Sequence, residues 1–240
     1  MESINYLERY RAGEYEQVWS ELQALGRAVR RQPHYAAAQE VAAETMRRVR
    51  RNCELLVSRL RSAGYTFGVY PDGTGGYFTD GPLVAASAET RADCASLAKL
   101  AGPLPLSLLA FWREVGSVDF VGMHRGWPAG LDPLVIYTPE GALSELESRA
   151  EEDEQDGSEP FEATLAPDEL HKDNVSGGSP YSVALPDPAA DFKLLNERHE
   201  LLFVPYLRFA ILRSGGFPGL DARAAQFEPL RALTAGLEPF

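Results

Sequence analysis

Residues 102–122 read GPLPLSLLAFWREVGSVDFVG, and their hydrophobic period changes once along the stretch. Gly102 reads as a helix stop, and Pro105 suits the first position of a new helix, where the N–H it lacks would have no partner in any case. Leu104, Leu108, Leu109, Phe111, Trp112 and Val115 then fall on one face at helical spacing, and Gly116 supplies the left-handed residue that closes the helix. From Ser117 to Gly122 the pattern alternates, with Val118 and Phe120 on one side and Asp119 and Val121 on the other. The stretch is predicted as helix, glycine turn and strand.

Upstream, Tyr15, Val18, Trp19, Leu22 and Leu25 make one face of an amphipathic helix ended by Gly26. Pro33 opens a much longer helix reaching Gly64, with Val41, Thr45, Met46, Val49, Cys53, Leu56 and Leu60 at steps of three and four. Arg47, Arg48, Arg50 and Arg51 lie off that stripe. They admit two readings, a contact surface for an acidic ligand or a solvated face, and their alternation with Glu40, Glu44 and Glu54 favours the second. Tyr65–Tyr70 and Tyr77–Thr79 read as a hairpin around Pro71–Gly76, and Thr90-x-x-Asp93 as a capping box for a helix carrying Leu97 and Leu100. Downstream, alternation marks Pro133–Tyr137 and Tyr181–Leu185 as strands. Helices are expected from Thr138 to about Ala150, along Phe203–Ile211 up to Gly215-Gly216, and over Glu228–Ala235.

Leu104-Pro105, Val115-Gly116-Ser117 and Val118–Gly122 together resemble the signature of the SUKH superfamily, the Smi/Knr-type domain of fungal cell-wall regulators and many bacterial toxin-immunity proteins. The resemblance continues through Gly126-Trp127-Pro128, Asp132–Tyr137, Ser176-Gly177-Gly178, Tyr206-Leu207-Arg208 and Gly215–Gly219, and so spans most of Thr90 to Leu220. It implies an α+β fold, a mixed and mainly antiparallel sheet flanked by helices, used for binding. The family has no common catalytic residues to carry over. Residues 1–64 then form a helical extension with one long helix, and residues 65–240 the SUKH-like domain.

Charge bounds the partners. The chain has 240 residues and a net charge of -12, which argues against nucleic acid, since a phosphate-binding surface needs clustered cations. The charge is also unevenly spread: Met1–Ala63 holds 11 Arg against 8 Glu, leaving the remainder 12 basic and 27 acidic side chains, a net of -15. An acidic field speeds association with a basic partner and also keeps a protein soluble. Cys53 and Cys94 are too few for a disulfide framework or a zinc site and read as reduced, buried thiols. Met1–Arg11 is polar and no apolar run reaches the roughly 18 residues a bilayer needs, so a cytoplasmic protein without a membrane partner is expected.

Motifs for chemistry fail on inspection. Pro71–Gly76 lacks the Lys-Ser or Lys-Thr of a phosphate loop, and the acidic run 151–159 places Ala163 where a calcium loop needs its last Glu. His124 has no His or Cys at metal-ligand spacing and reads as a hydrogen-bonded loop histidine. His171 with Asp173 and Ser176, or His199 with Glu200, are partial triads on single loops, which seldom converge. No cofactor, metal or catalytic residue is expected. The candidate partner-binding residues are the aromatics Trp127, Phe217 and Tyr181 and the acidic residues Glu151, Glu152, Asp153, Glu154 and Asp156. The function that follows is a non-catalytic immunity protein occluding a basic toxin domain. A regulatory adaptor, or a small-ligand-binding domain with Trp127 and Tyr181 as cleft walls, is the alternative.

Overall fold

The 29 residues His34–Ser62 form one helix, against which helices from both the N- and C-terminal parts of the chain pack. This computed structural model describes residues 5–73, 75–77, 79–151 and 160–240. In chain order its helices are α1 (Tyr6–Arg11), α2 (Tyr15–Ala24), α3 (His34–Ser62), α4 (Ala88–Ala101), α5 (Leu106–Glu114), α6 (Pro139–Glu151), α7 (Glu169–Lys172), α8 (Phe203–Arg208) and α9 (Pro229–Thr234). Its strands are β1 (Thr66–Phe67), β2 (Leu83–Val84), β3 (Ser117–Asp119), β4 (Gly122–Met123), β5 (Val135–Ile136), β6 (Phe161–Ala166) and β7 (Tyr181–Leu185). Gly26–Arg30 and Pro218–Gln226 are 3-10 segments, and Phe209–Arg213 continues α8 as a π-helical turn.

The stripe expected on α3 is its core face: Val41, Thr45, Met46, Val49, Cys53, Leu56 and Leu60 are all buried. At 1.5 Å per residue α3 is about 44 Å long, and α1, the Gly26–Arg30 turn, α5 and α9 pack along it. Inside the contact, Trp19 Nε1 donates to Thr45 Oγ1 at 3.0 Å, and that hydroxyl donates to the Val41 carbonyl at 2.8 Å. The N-terminal helices and residues 65–240 share a contiguous apolar core. Both cysteines are free and buried within it, with burial holding the Cys53 thiol up at about 12 and Cys94 at about 11.

The basic face of α3 is a set of clamps. Arg48, only 8% exposed, pairs with Glu44 and Glu238, donates to Tyr15 Oη and the Pro239 carbonyl, and lies against the rings of Tyr10 and Tyr15. Arg51 forks onto the Glu238 carboxylate, and Arg50 reaches the carbonyls of Glu114 and Val115 at the C-terminal end of α5. Arg59 donates to the carbonyls of Leu233 and Ala235 at the C-terminal end of α9, where a cation is favoured. The expected solvated face survives in the Arg47–Glu44 and Arg50–Glu54 pairs. Elsewhere the guanidinium forks satisfy oxygens that helix ends and the final segment leave unpaired.

The opening stretch folds as expected as far as Val118. Gly102 stops α4 at φ +86, and Gly116 closes α5 at φ +93. Pro105, with ψ 143, is extended and stands just before the first helical residue instead of occupying it. Beyond Val118 the structure departs from the expected single strand. Asp119 Oδ1 accepts the Val121 N–H at 3.0 Å, a local turn that bends the chain out of one sheet. Gly122 and Met123 then pair with β1 in another, and a Cβ at Gly122 would stand 2.4 Å from the Thr66 carbonyl oxygen.

The fold is α+β: small sheets ordered β1-β4, β2-β3-β5 and β6-β7, every pairing antiparallel, flanked by helices and preceded by a helical N-terminal region. Among the described residues the expected hairpin shows a Val69–Gly76 bridge with a Tyr77 N–H bond to the Gly68 carbonyl and a Tyr70 N–H bond to the Gly75 carbonyl, while β1 takes β4 as its ladder partner. The capping box lies three residues earlier than expected: Ser87 is the N-cap of α4 and exchanges reciprocal bonds with Thr90. Among the described residues no helix is long and apolar enough to cross a membrane.

Candidate binding site

The turn after β4, residues 124–133, is held by the last residue of one short helix and the residue that follows it. Asp168 caps α7, its Oδ1 accepting the N–H groups of Leu170 and His171, and α7 ends in Lys172 with Asp173 beyond it. Lys172 is fully buried; its Nζ donates to Asp132 Oδ1 at 2.5 Å and stands 4.5 Å from the centre of the Tyr181 ring. Tyr181 Oη donates to Asp132 Oδ2 at 3.0 Å. Asp173 faces the other way along the same turn, where its Oδ2 accepts the Gly130 N–H at 2.8 Å. Arg223 adds bonds to the carbonyls of Ala129, Gly130 and Gly219.

Beside this frame lies a cavity of about 130 Å³ lined by Tyr65, Met123, His124, Trp127, Leu131 and Asp173. Trp127 packs at 5.3 Å from Tyr65 and 4.8 Å from His124, ring centre to ring centre, and its other contacts are edge-on to Phe217 and Phe227 at 5.6 and 4.9 Å. Tyr65 Oη donates to the Phe120 carbonyl at 2.9 Å. His124 Nδ1 accepts the Gly126 N–H at 3.1 Å, so the neutral ring carries its proton on Nε2. Half-burial raises the Asp173 carboxyl above the ordinary range; the Gly130 N–H opposes that, while the charges of Asp132 and Glu169 add to it. The cavity therefore has aromatic walls and an electronegative side.

Of the aromatics expected to meet a partner, Trp127 is half-buried and lines the cavity. Phe217 is a correction: it is fully buried behind Trp127 and Tyr65, so it packs the core and offers no surface. Tyr181 is another, 2% exposed because its hydroxyl is spent on Asp132. Glu151 ends α6, and Glu152, Asp153, Glu154 and Asp156 lie outside the described residues. Tyr65 and Asp173 also line the cavity; the sequence offers Tyr65 as a strand residue and Asp173 as part of a partial triad, and no local spacing joins either to Trp127.

The remaining polar clusters are bonded locally. His171 pairs with Asp168 and His199 with Glu197. Asp119 is buried and held up at about 6 by desolvation, against hydrogen bonds from the Val121 N–H, Thr79 and Tyr77. A broad groove of about 1200 Å³ runs between α2 and the α8–π segment, with Trp19, Leu202, Phe209 and Leu212 among its walls. Asp191 at its base accepts from Ser107 Oγ and the Val204 N–H, and Arg208 donates to the carbonyls of Tyr15 and Phe240. Among the described residues no group of three or more His, Cys, Asp or Glu is placed to hold a metal ion. Comparison with family models, curated proteins and solved structures gives no match for the chain.

Proposed function

We propose that this chain is a non-catalytic, SUKH-like binding protein that captures a basic protein, and that the partner is a toxin domain it neutralises. The observation that carries the reading is where the cations go. The N-terminal region holds the basic excess, but Arg48, Arg51 and Arg59 spend it on Glu238 and on carbonyls of residues 233–239. Beyond Ala63 the formal net is -15, part of it buried or, at Glu238, paired with those arginines, and the remaining acidic excess is a field that raises the association rate of a basic partner. A non-catalytic role agrees with thiols kept protonated by burial and with His171 and His199 bound to local carboxylates.

The test is co-expression with the toxin domain encoded nearest this chain's gene, followed by binding kinetics at low and high salt. Protection of the host and an association rate that falls as salt rises support the reading. A toxin that is neither bound nor neutralised overturns it.

A further inference from the structure

We propose that the Tyr65–His124–Trp127–Asp173 cavity is a receptor for a single cationic side chain, the ammonium of a lysine or the guanidinium of an arginine carried by the partner. The source of that cation rests on the reading of this chain as a binder of a basic protein; the chemistry of the cavity does not. At about 130 Å³ the cavity is well below the volume that encloses a drug-sized ligand, roughly 300–1,000 Å³. It has room for the end of one side chain.

Its walls select the kind. Tyr65, His124 and Trp127 line the space, and a ring's quadrupole attracts a cation over its face, with Trp the strongest. Asp173 stands at one side and accepts the Gly130 N–H, in a field that Asp132 and Glu169 make more negative and Arg223 offsets in part. No Lys or Arg lines the cavity, and Arg223, the nearest guanidinium recorded against Asp173, is bound to three carbonyl oxygens. A neutral apolar occupant would strip water from that carboxylate without replacing its charge, and an anion would be repelled. An ammonium or guanidinium brings further positive charge and donors to that carboxylate together.

The receptor is also built in advance. Lys172–Asp132 and Asp173–Gly130 pin the turn that carries His124 and Trp127, so little ordering remains to be done on binding. Asp173 is accordingly the residue that sets specificity, and the rings set size.

The experiment titrates the intact chain with Nα-acetyl-lysine methylamide and Nα-acetyl-arginine methylamide, with the norleucine analogue as the neutral control, while following the Trp127 indole N–H resonance. The cationic probes are expected to saturate at millimolar concentration and to bind about tenfold tighter than norleucine. Asp173→Asn keeps an acceptor for the Gly130 N–H and is expected to weaken the cationic probes to the level of norleucine. Equal binding of norleucine and lysine probes, or an Asp173→Asn chain that binds lysine unchanged, overturns the proposal. The source is tested separately by the partner complex. Faster dissociation from Asp173→Asn assigns the cation to the partner, whereas unchanged dissociation assigns the cavity to a free cationic small molecule and overturns that part. Because the probes need no partner, this proposal and the functional reading can fail independently.

Discussion

Lys172 Nζ donates to Asp132 Oδ1 at 2.5 Å with both side chains at zero exposure, and this pair joins α7 to the turn that presents Trp127. An isolated charge left in that place is costly. Lys172→Met is expected to lose about 3–5 kcal/mol, because the Asp132 carboxylate would stay buried with only Tyr181 Oη bound to it. The double variant Lys172→Met/Asp132→Asn removes both charges, and Asn accepts the φ of +48 at that position and keeps an acceptor for Tyr181. It should therefore cost less than the sum of its singles. Urea denaturation of the three variants checks this, and single losses below about 1 kcal/mol would show that the turn is anchored elsewhere.

What could be read along the chain was whatever repeats locally. The α3 stripe and the α5 face obey a 3.6-residue period and are buried as that period implies. What could not be read depends on partners far away. Asp132, Lys172 and Tyr181 lie 40 and 49 residues apart in their bonds, so Tyr181 looked like a free aromatic when its hydroxyl was already committed. The α3 arginines showed glutamates one turn off, whereas Arg48 and Arg59 reach backbone oxygens 174 to 191 residues on and Arg51 reaches the Glu238 carboxylate 187 residues on. Asp119 looked like one residue in an alternating strand, and a side chain bonding two residues ahead ends that strand. For the cavity, Trp127 in its glycine-proline turn was visible, but nothing in spacing ties Tyr65 to Asp173.

Asn52 and the backbone of Glu238 exchange two bonds, Nδ2 to the carbonyl and the Glu238 N–H to Oδ1, each 2.8 Å. Asn52 is 2% exposed, so its loss leaves buried backbone groups unpaired. Asn52→Ala is expected to cost about 2–3 kcal/mol and to make residues 235–240 open to protease. Glu238→Ala keeps the backbone pair and removes the exposed ion pair with Arg51 and a 3.4 Å one with Arg48, which retains Glu44, so it should cost less than Asn52→Ala. The reverse ranking in thermal unfolding and limited proteolysis would assign the clamp to charge instead of to Asn52.

Gly116 and Gly13 both sit at positive φ, +93 and +107, yet they differ in surroundings. A Cβ at Gly116 would lie 2.1 Å from the Val84 carbonyl oxygen and 2.6 Å from the Ala86 nitrogen, whereas one at Gly13 meets nothing within 4 Å. Gly116→Ala must part β2 from β3 and is expected to cost more than about 4 kcal/mol. Gly13→Ala carries the conformational penalty alone, about 1–2 kcal/mol. Comparable losses for the two in chemical denaturation would mean that φ, and not the close approach, makes glycine necessary at Gly116.

Stability should be greatest on the acid side of neutrality. Asp119 and Asp191 are each held up at about 6, chiefly by burial, while the unfolded chain releases such protons near its ordinary value of about 4. Between about pH 4 and 6 the folded state therefore holds more protons than the unfolded one. Its stability falls as pH rises through that window, on the order of 2–3 kcal/mol for each group. Glu21 works in the opposite sense: bonds from Arg9 and Gln17 hold it down at about 2, so its stabilisation is complete above about pH 4.5 and is lost on acidification towards 2. A maximum near pH 4–5 follows, and the urea midpoint at pH 5 should exceed that at pH 7. Asp191→Asn keeps an acceptor for the Val204 N–H and lets Ser107 accept instead of donate, so it should raise stability at pH 7 and flatten part of the slope. A midpoint constant from pH 5 to 7, in both the parent chain and Asp191→Asn, would mean that these carboxylates ionise at their ordinary pH and that the interior solvates them better than their burial implies.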